Sequence, residues 1–143
     1  MSLFSSISIS ASGLSAQRIR AEYLAQNLAN AETTRTAEGG PYRRKDVVFH
    51  SESQSGPFSA LFQTELEAQG VVAGEVVEDT REPERRYLPG HPDADAKGYV
   101  AFPRINPAED MVDLMNASRS YGANVAAMNA VKDMIHRSVD LFR

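Results

Sequence analysis

Three residues in one short turn have the type and spacing of metal ligands: His91, Asp93 and Asp95, within Leu88 to Gly98, LPGHPDADAKG. Alternating carboxylates followed by a glycine are how a calcium loop begins, and counting from Asp93 puts Asp95 third and Gly98 sixth. The twelfth place, where such a loop needs a bidentate Glu, is Arg104, so the calcium reading fails at its closing ligand. In a turn with two prolines and two glycines, carboxylates are instead expected to cap backbone amides. His50, His91 and His136 fall in three different kinds of segment and share no ligand spacing, so none is placed as a catalytic base. Cysteine is absent, which excludes disulfides, thiolate zinc sites and cysteine nucleophiles and leaves the redox compartment open. No phosphate-cradling glycine loop, nucleophile elbow or H-E-x-x-H helix occurs. The expectation is a protein with no catalytic residues, no cofactor and no metal.

Composition narrows the partners. A net charge of −4 and a pI of about 5.4 give no bulk positive field, which argues against nucleic acid and against an acidic membrane surface. No run reaches the eighteen or more apolar residues of a membrane span. MSLFSSISISASGLSAQR has no basic residue before Arg18 and serines break its apolar stretch, so a cleaved signal peptide is not expected either. With 143 residues the chain is one domain's worth.

The elements are more legible than any site. Ile7, Leu14, Ala21 and Leu28 recur every seven residues, flanked by Ala11, Leu24, Ala25 and Ala31, which is one apolar stripe on a helix. That helix is expected from about Leu3 to Asn30, roughly 40 Å long, with Gly13 costing about 1 kcal/mol relative to Ala. Asn27 and Asn30 stand where it ends and are expected to take the left-handed cap conformation. A second helix starts with Asn106 as N-cap, Pro107 at the first position and Glu109 and Asp110 in the first turn. Its seam is Met111, Leu114, Tyr121, Val125, Met128, Ile135, Val139 and Phe142, interrupted by Ser118 and Lys132, over about 36 residues or roughly 54 Å.

Between them, Glu32 to Gly40 reads as a loop, and PYRRKDVVF (41 to 49) as a strand beginning near Tyr42, with Arg43, Arg44 and Lys45 on a solvated face. Residues 50–69 are expected to form a mobile insertion in which Phe58 to Ala68 has the spacing of a short amphipathic helix, with a strand as the alternative. Gly70 to Asp79 predicts a strand bulged around Gly74, and Glu84 to Leu88 and Gly98 to Phe102 predict two more, together one small antiparallel sheet. The expected fold is mainly α with a small β domain. Residues 1–34 and 106–143 form long terminal helices paired as a coiled coil, and 35–105 an outer β-rich unit.

Two helices of unequal length and a loop-rich middle leave apolar seam uncovered, which implies other subunits. The residues expected at such an assembly interface are Ile7, Leu14, Leu24, Leu28, Met111, Leu114, Tyr121, Val125, Met128, Ile135, Val139 and Phe142.

Ala11 to Gln17, ASGLSAQ, continuing to Asn27 to Thr33, NLANAET, resembles the N-terminal signature of bacterial flagellar rod and hook axial proteins. Tyr42 to Phe49, Pro89 to Val100 and Met111 to Asn124 are similar to segments of the family's proximal-rod members, so the likeness covers nearly the whole chain. The resemblance implies a non-enzymatic subunit of the flagellar basal-body rod, exported by the flagellar type III apparatus without cleavage and assembled in the periplasmic space. Its implied partners are other copies of itself, other rod proteins and the export gate at the base. The terminal helices would then line the export channel and the tube would transmit torque. Residues 50–69 look longer than the family's usual turn there. The alternative class is a soluble coiled-coil adaptor or export chaperone; apolar seams at both ends of the chain favour the rod subunit.

Overall fold

The computed structural model describes residues 3–52 and 70–141. In chain order these form α1 (Leu3–Ala29), β1 (Lys45–Glu52), β2 (Gly70–Glu78), β3 (Glu84–Tyr87), β4 (Tyr99–Phe102) and α2 (Pro107–Asp140). The amphipathic segment expected at Phe58 to Ala68 lies outside the described residues, as does Phe142.

α2 begins as its sequence dictates. Asn106 is extended (φ −101°, ψ 104°), its Oδ1 accepts from the Ala108 N–H at 3.2 Å, and Pro107 follows where a missing N–H costs nothing. α1 ends in a way its sequence did not suggest. No non-glycine residue among those described has a positive φ, so neither Asn27 nor Asn30 is a left-handed cap. Asn30 instead donates from Nδ2 to the Gln26 carbonyl at 2.9 Å and accepts from Thr33 Oγ1 at 3.2 Å, closing the last turn with its side chain. Asn27 stays inside the helix, committed elsewhere.

α1 and α2 pack antiparallel: Gly13 faces Asn124, while Ala21 and Ala25 share a groove with Leu114 and Ala117. A Cβ on Gly13 would stand 2.9 Å from Asn124 Nδ2. The glycine that weakens the isolated helix therefore lets the two helices approach closely.

An adjacent side of α1 carries the antiparallel hairpin of β1 and β2, laid lengthwise along it. At one end Ser12 Oγ accepts from the Val71 N–H at 3.0 Å; at the other Asn27 binds the backbone of Lys45. Fifteen residues of helix separate these two anchors, roughly 22 Å of rise, and the eight residues of β1 span about 26 Å. Helix and hairpin are thus matched in length. Having neighbours on two sides explains why α1 is rich in Ala and Ser: small side chains let both approach.

Val47 pairs with Val76 and Phe49 with Ala73, so Gly74 and Glu75 together oppose Val48. This is the β2 bulge expected around Gly74. A Cβ on Gly74 would collide with the His50 imidazole and lie 3.1 Å from the Val48 carbonyl oxygen. Gly74→Val is expected to cost about 1–3 kcal/mol through this overpacking. Urea titration followed by circular dichroism checks it, and an unchanged midpoint would mean that His50 swings away freely.

β3 and β4 form a second antiparallel pair, Glu84 opposite Phe102 through Tyr87 opposite Tyr99. The described strands therefore make two separate two-stranded ladders, not the single sheet expected. Between β2 and β3, Asp79 Oδ1 accepts from the Arg81 N–H at 3.0 Å and folds the chain over, and Pro83 lacks the N–H a continuing ladder needs. Val100, Phe102 and Pro103 are buried at the base of this second ladder.

Candidate assembly interface

The junction of α1, β1 and α2 is built from side chains the chain keeps dry. Asn27 is 0% exposed. Its Nδ2 donates to the Lys45 carbonyl at 2.9 Å, and its Oδ1 accepts from the Lys45 N–H and from the Tyr42 hydroxyl, each at 3.0 Å. Tyr42 also donates its N–H to Thr33. These commitments hold Tyr42 out of the strand, which is why β1 opens at Lys45 and not near Tyr42.

One residue before Lys45, Arg44 reaches across to α2. Its Nη1 lies 2.7 Å from Asp110 Oδ1, and its Nε lies 3.2 Å from Asp46 Oδ2. The Asp110 side chain is fully buried. Burial raises its pKa, with Arg44 pulling the other way and Asp46 and Asp113 adding to the rise. Arg44 is shifted up, since Asp46 and then Asp110 outweigh the burial that opposes it. Of the basic triplet read as a solvated strand face, Arg43 is exposed but Arg44 is a structural tie.

Asp93 and Asp95 behave as turn-builders. Asp95 Oδ1 accepts from the N–H groups of Lys97 and Tyr99 at 2.8 and 2.9 Å, and these bonds, Tyr99's first, lower its pKa. Asp93 Oδ2 accepts from Thr34 Oγ1 at 2.8 Å, fastening the turn to the loop after α1. Among the described residues no group of three or more His, Asp or Glu could hold a metal. The double change Asp93→Asn with Asp95→Asn is expected to cost about 1–2 kcal/mol through weakened charge-assisted bonds. Calorimetry with added Ca²⁺ should show no transition that the double change removes; a tight, stoichiometric one would return the turn to metal chemistry.

Along α2 the face toward α1 follows Asp110, Leu114, Ala117, Tyr121, Asn124, Met128, Val131 and Ile135, spaced alternately by four and three. Leu114, Tyr121, Met128 and Ile135 belong to the seam read from the sequence, and on α1 so do Leu24, which is buried, and the half-buried Ile7, Leu14 and Leu28. Met111, Val125 and Val139 do not face α1. They are exposed one residue round the helix, as are Ser118 and Lys132. Tyr121 keeps 43% of its surface exposed at the mouth of a groove of about 550 Å³ between the helices. Val112, Met115, Met134 and Leu141 complete the apolar surface that α1 leaves open.

Residues 96–141 match the family described as flagellar basal body rod FlgEFG protein C-terminal. Over its full length the chain is 38% identical to the flagellar basal-body rod protein FlgC of Borreliella burgdorferi, covering 99% of that protein. The chain belongs to the FlgC family of flagellar basal-body rod proteins. The FlgC of Bacillus subtilis is 40% identical with 99% of both chains covered, and that of Aquifex aeolicus is 34% identical with 99% of its length covered. As a FlgC-family chain it is a structural component of the flagellar basal body and not an enzyme. No described helix is long and apolar enough to cross a membrane.

Sequence reasoning missed Asn27 and the pair of Arg44 and Asp110 as the joints of this FlgC-family fold. A signal for the second was present, since an acid in the first turn, four residues after the N-cap, reads first as a dipole partner. Only contact with a distant arginine distinguishes the two roles.

Proposed function

We propose that this chain is a subunit of the proximal rod, built into the tube through its two terminal helices. Residues 1–34 and 106–143 act as the inner coiled-coil unit around the export channel, and residues 35–105 as the outer unit. The partners are other copies of the chain, neighbouring rod proteins and the export gate at the base, and the tube passes torque outward through the periplasmic space. The observation that supports this reading is the apolar surface α2 carries outside its contact with α1: Met111, Val112, Met115, Val125 and Val139 are all exposed. A monomer gains nothing from that surface, whereas helices of adjacent subunits would bury it. The adaptor alternative has no comparable support, because every relative described above is a rod protein.

The test is Ile135→Asp. Ile135 is half-buried on the α2 seam, and a carboxylate there costs about 3 kcal/mol or more once neighbouring helices close over it. That corresponds to more than about a hundredfold weaker incorporation. The resemblance to the axial proteins also implies that export is directed by the N-terminal segment, so secretion should continue while retention in purified basal bodies and swimming are lost. Lys97→Asp, in the exposed turn, is the control that should assemble normally. Normal swimming by Ile135→Asp would remove the helical inner layer from this account.

A further inference from the structure

Among the described residues, the register of the two helices gives one end of α2 no neighbour on α1. Gly13 and Asn124 stand face to face, ten residues after the start of α1 at Leu3 and sixteen before the end of α2 at Asp140. The last turns of α2 therefore run past Leu3. In those turns Val139 is 62% exposed and Leu141 87%. Val139 follows Ile135 by four residues, and Leu141 follows the exposed Met134 by seven, so each continues a line of apolar side chains along the helix.

The same molecule carries a groove that no described residue fills. It lies between the helices at Ala21, Ala25, Leu114, Ala117, Ser118 and Tyr121, mostly apolar and floored by small residues that would let a third helix approach closely. Gln17 also lines it, with an Oε1 that is buried and has no hydrogen-bond partner. The projecting turns cannot fold back into it, because on a rigid helix Val139 is some 27 Å beyond Tyr121. We infer that the C-terminal turns of α2 from one copy seat in the groove between α1 and α2 of the next, a head-to-tail contact.

Charge fixes the direction of seating. Arg18 and Glu22 flank the groove, paired at 2.9 Å and exposed; the projecting turns carry Arg137 and then Asp140. Running antiparallel to α1 puts Asp140 beside Arg18 and Arg137 beside Glu22, while the reverse direction sets like charges together. A head-to-tail contact is not self-complementary, so where the rotation between copies does not close a ring they add in series, as a tubular rod requires. This inference rests on the rod-subunit reading and names the contact by which its copies join.

The absence of cysteine in the chain makes the test direct. Full-length Ser118→Cys and Ser138→Cys chains are mixed at high concentration and oxidised, and the same pair is coexpressed and examined in purified basal bodies. The expected result is heterodimer at about tenfold or more over either homodimer in at least one setting, lost when Leu141→Asp is added to the Ser138→Cys chain. Arg18→Glu should weaken the heterodimer, and Asp140→Lys in the partner copy should restore it. Dominant Ser118→Cys homodimer would mean that two grooves face each other, and would overturn the inference. So would the absence of heterodimer in both settings. Basal bodies that contain both variants but no heterodimer would remove this contact while leaving the rod function standing.

Discussion

Asn27→Leu is expected to destabilise the chain by about 3–5 kcal/mol, the largest effect of any single uncharged substitution in the α1 face. The leucine has nearly the same volume, so the loss is not one of packing. It strips partners from the Lys45 N–H, the Lys45 carbonyl and the Tyr42 hydroxyl at once. Each polar group left buried without a partner costs about 1–3 kcal/mol. The hairpin would keep its bond to α1 at the Ser12 end and its side-chain packing, with Arg20 stacked 4.7 Å from the Phe49 ring centre. Chemical denaturation gives the stability, and amide exchange at Lys45 should speed up more than exchange at Val71. A loss below about 1 kcal/mol would mean that water reaches the site and replaces the amide.

Arg44→Leu should cost about 3–5 kcal/mol at neutral pH, because it leaves the Asp110 carboxylate buried without its cation. Its pH dependence has a definite sign. Asp110 already has a raised pKa in the folded chain, so the folded state holds its proton more tightly than the unfolded one. Stability from this group is greatest below the ordinary value of 3.8 and falls as pH rises through the folded value. Without Arg44 that value rises further. The penalty of Arg44→Leu, measured as a difference from the unmodified chain, should therefore shrink as pH is lowered toward 4. Asp79 works in the opposite sense. Its bonds to Arg81 lower its pKa to about 2, and its contribution, present above 3.8, is lost as pH falls toward that value. Both chains share it, so it cancels in the difference. A penalty independent of pH would show that Arg44 contributes packing and not charge.

How much of this was legible beforehand depends on the range of the interaction. The start of α2 was readable because Asn106, Pro107 and the acids after it act within one turn. The β2 bulge was readable because a glycine inside an apolar strand has few other uses. Asn27 was misread as a local cap, since its partners lie fifteen and eighteen residues away and leave no periodic trace. The contact with α1 follows only part of the apolar stripe on α2 for a related reason. A stripe chosen by apolar bulk selects Met111 and Val125, whereas closely approaching helices bury Ala117 beside polar Asn124 and Asp110. The groove was invisible, because it is made of small residues that no hydrophobicity pattern marks.

The middle position of α1, between the hairpin and α2, also bears on the order in which the chain folds. The hairpin joins α1 across a few tens of residues, but Asn124 meets Gly13 only after more than a hundred have been made. Closing a loop of that length is the most entropically expensive contact in the chain, and its Ala-rich surface returns little apolar burial until several turns have docked together. Docking of α2 onto α1 should therefore be the late, rate-limiting event. Until it happens the N-terminal helix has one face covered and one bare, a state from which the chain unravels at small cost.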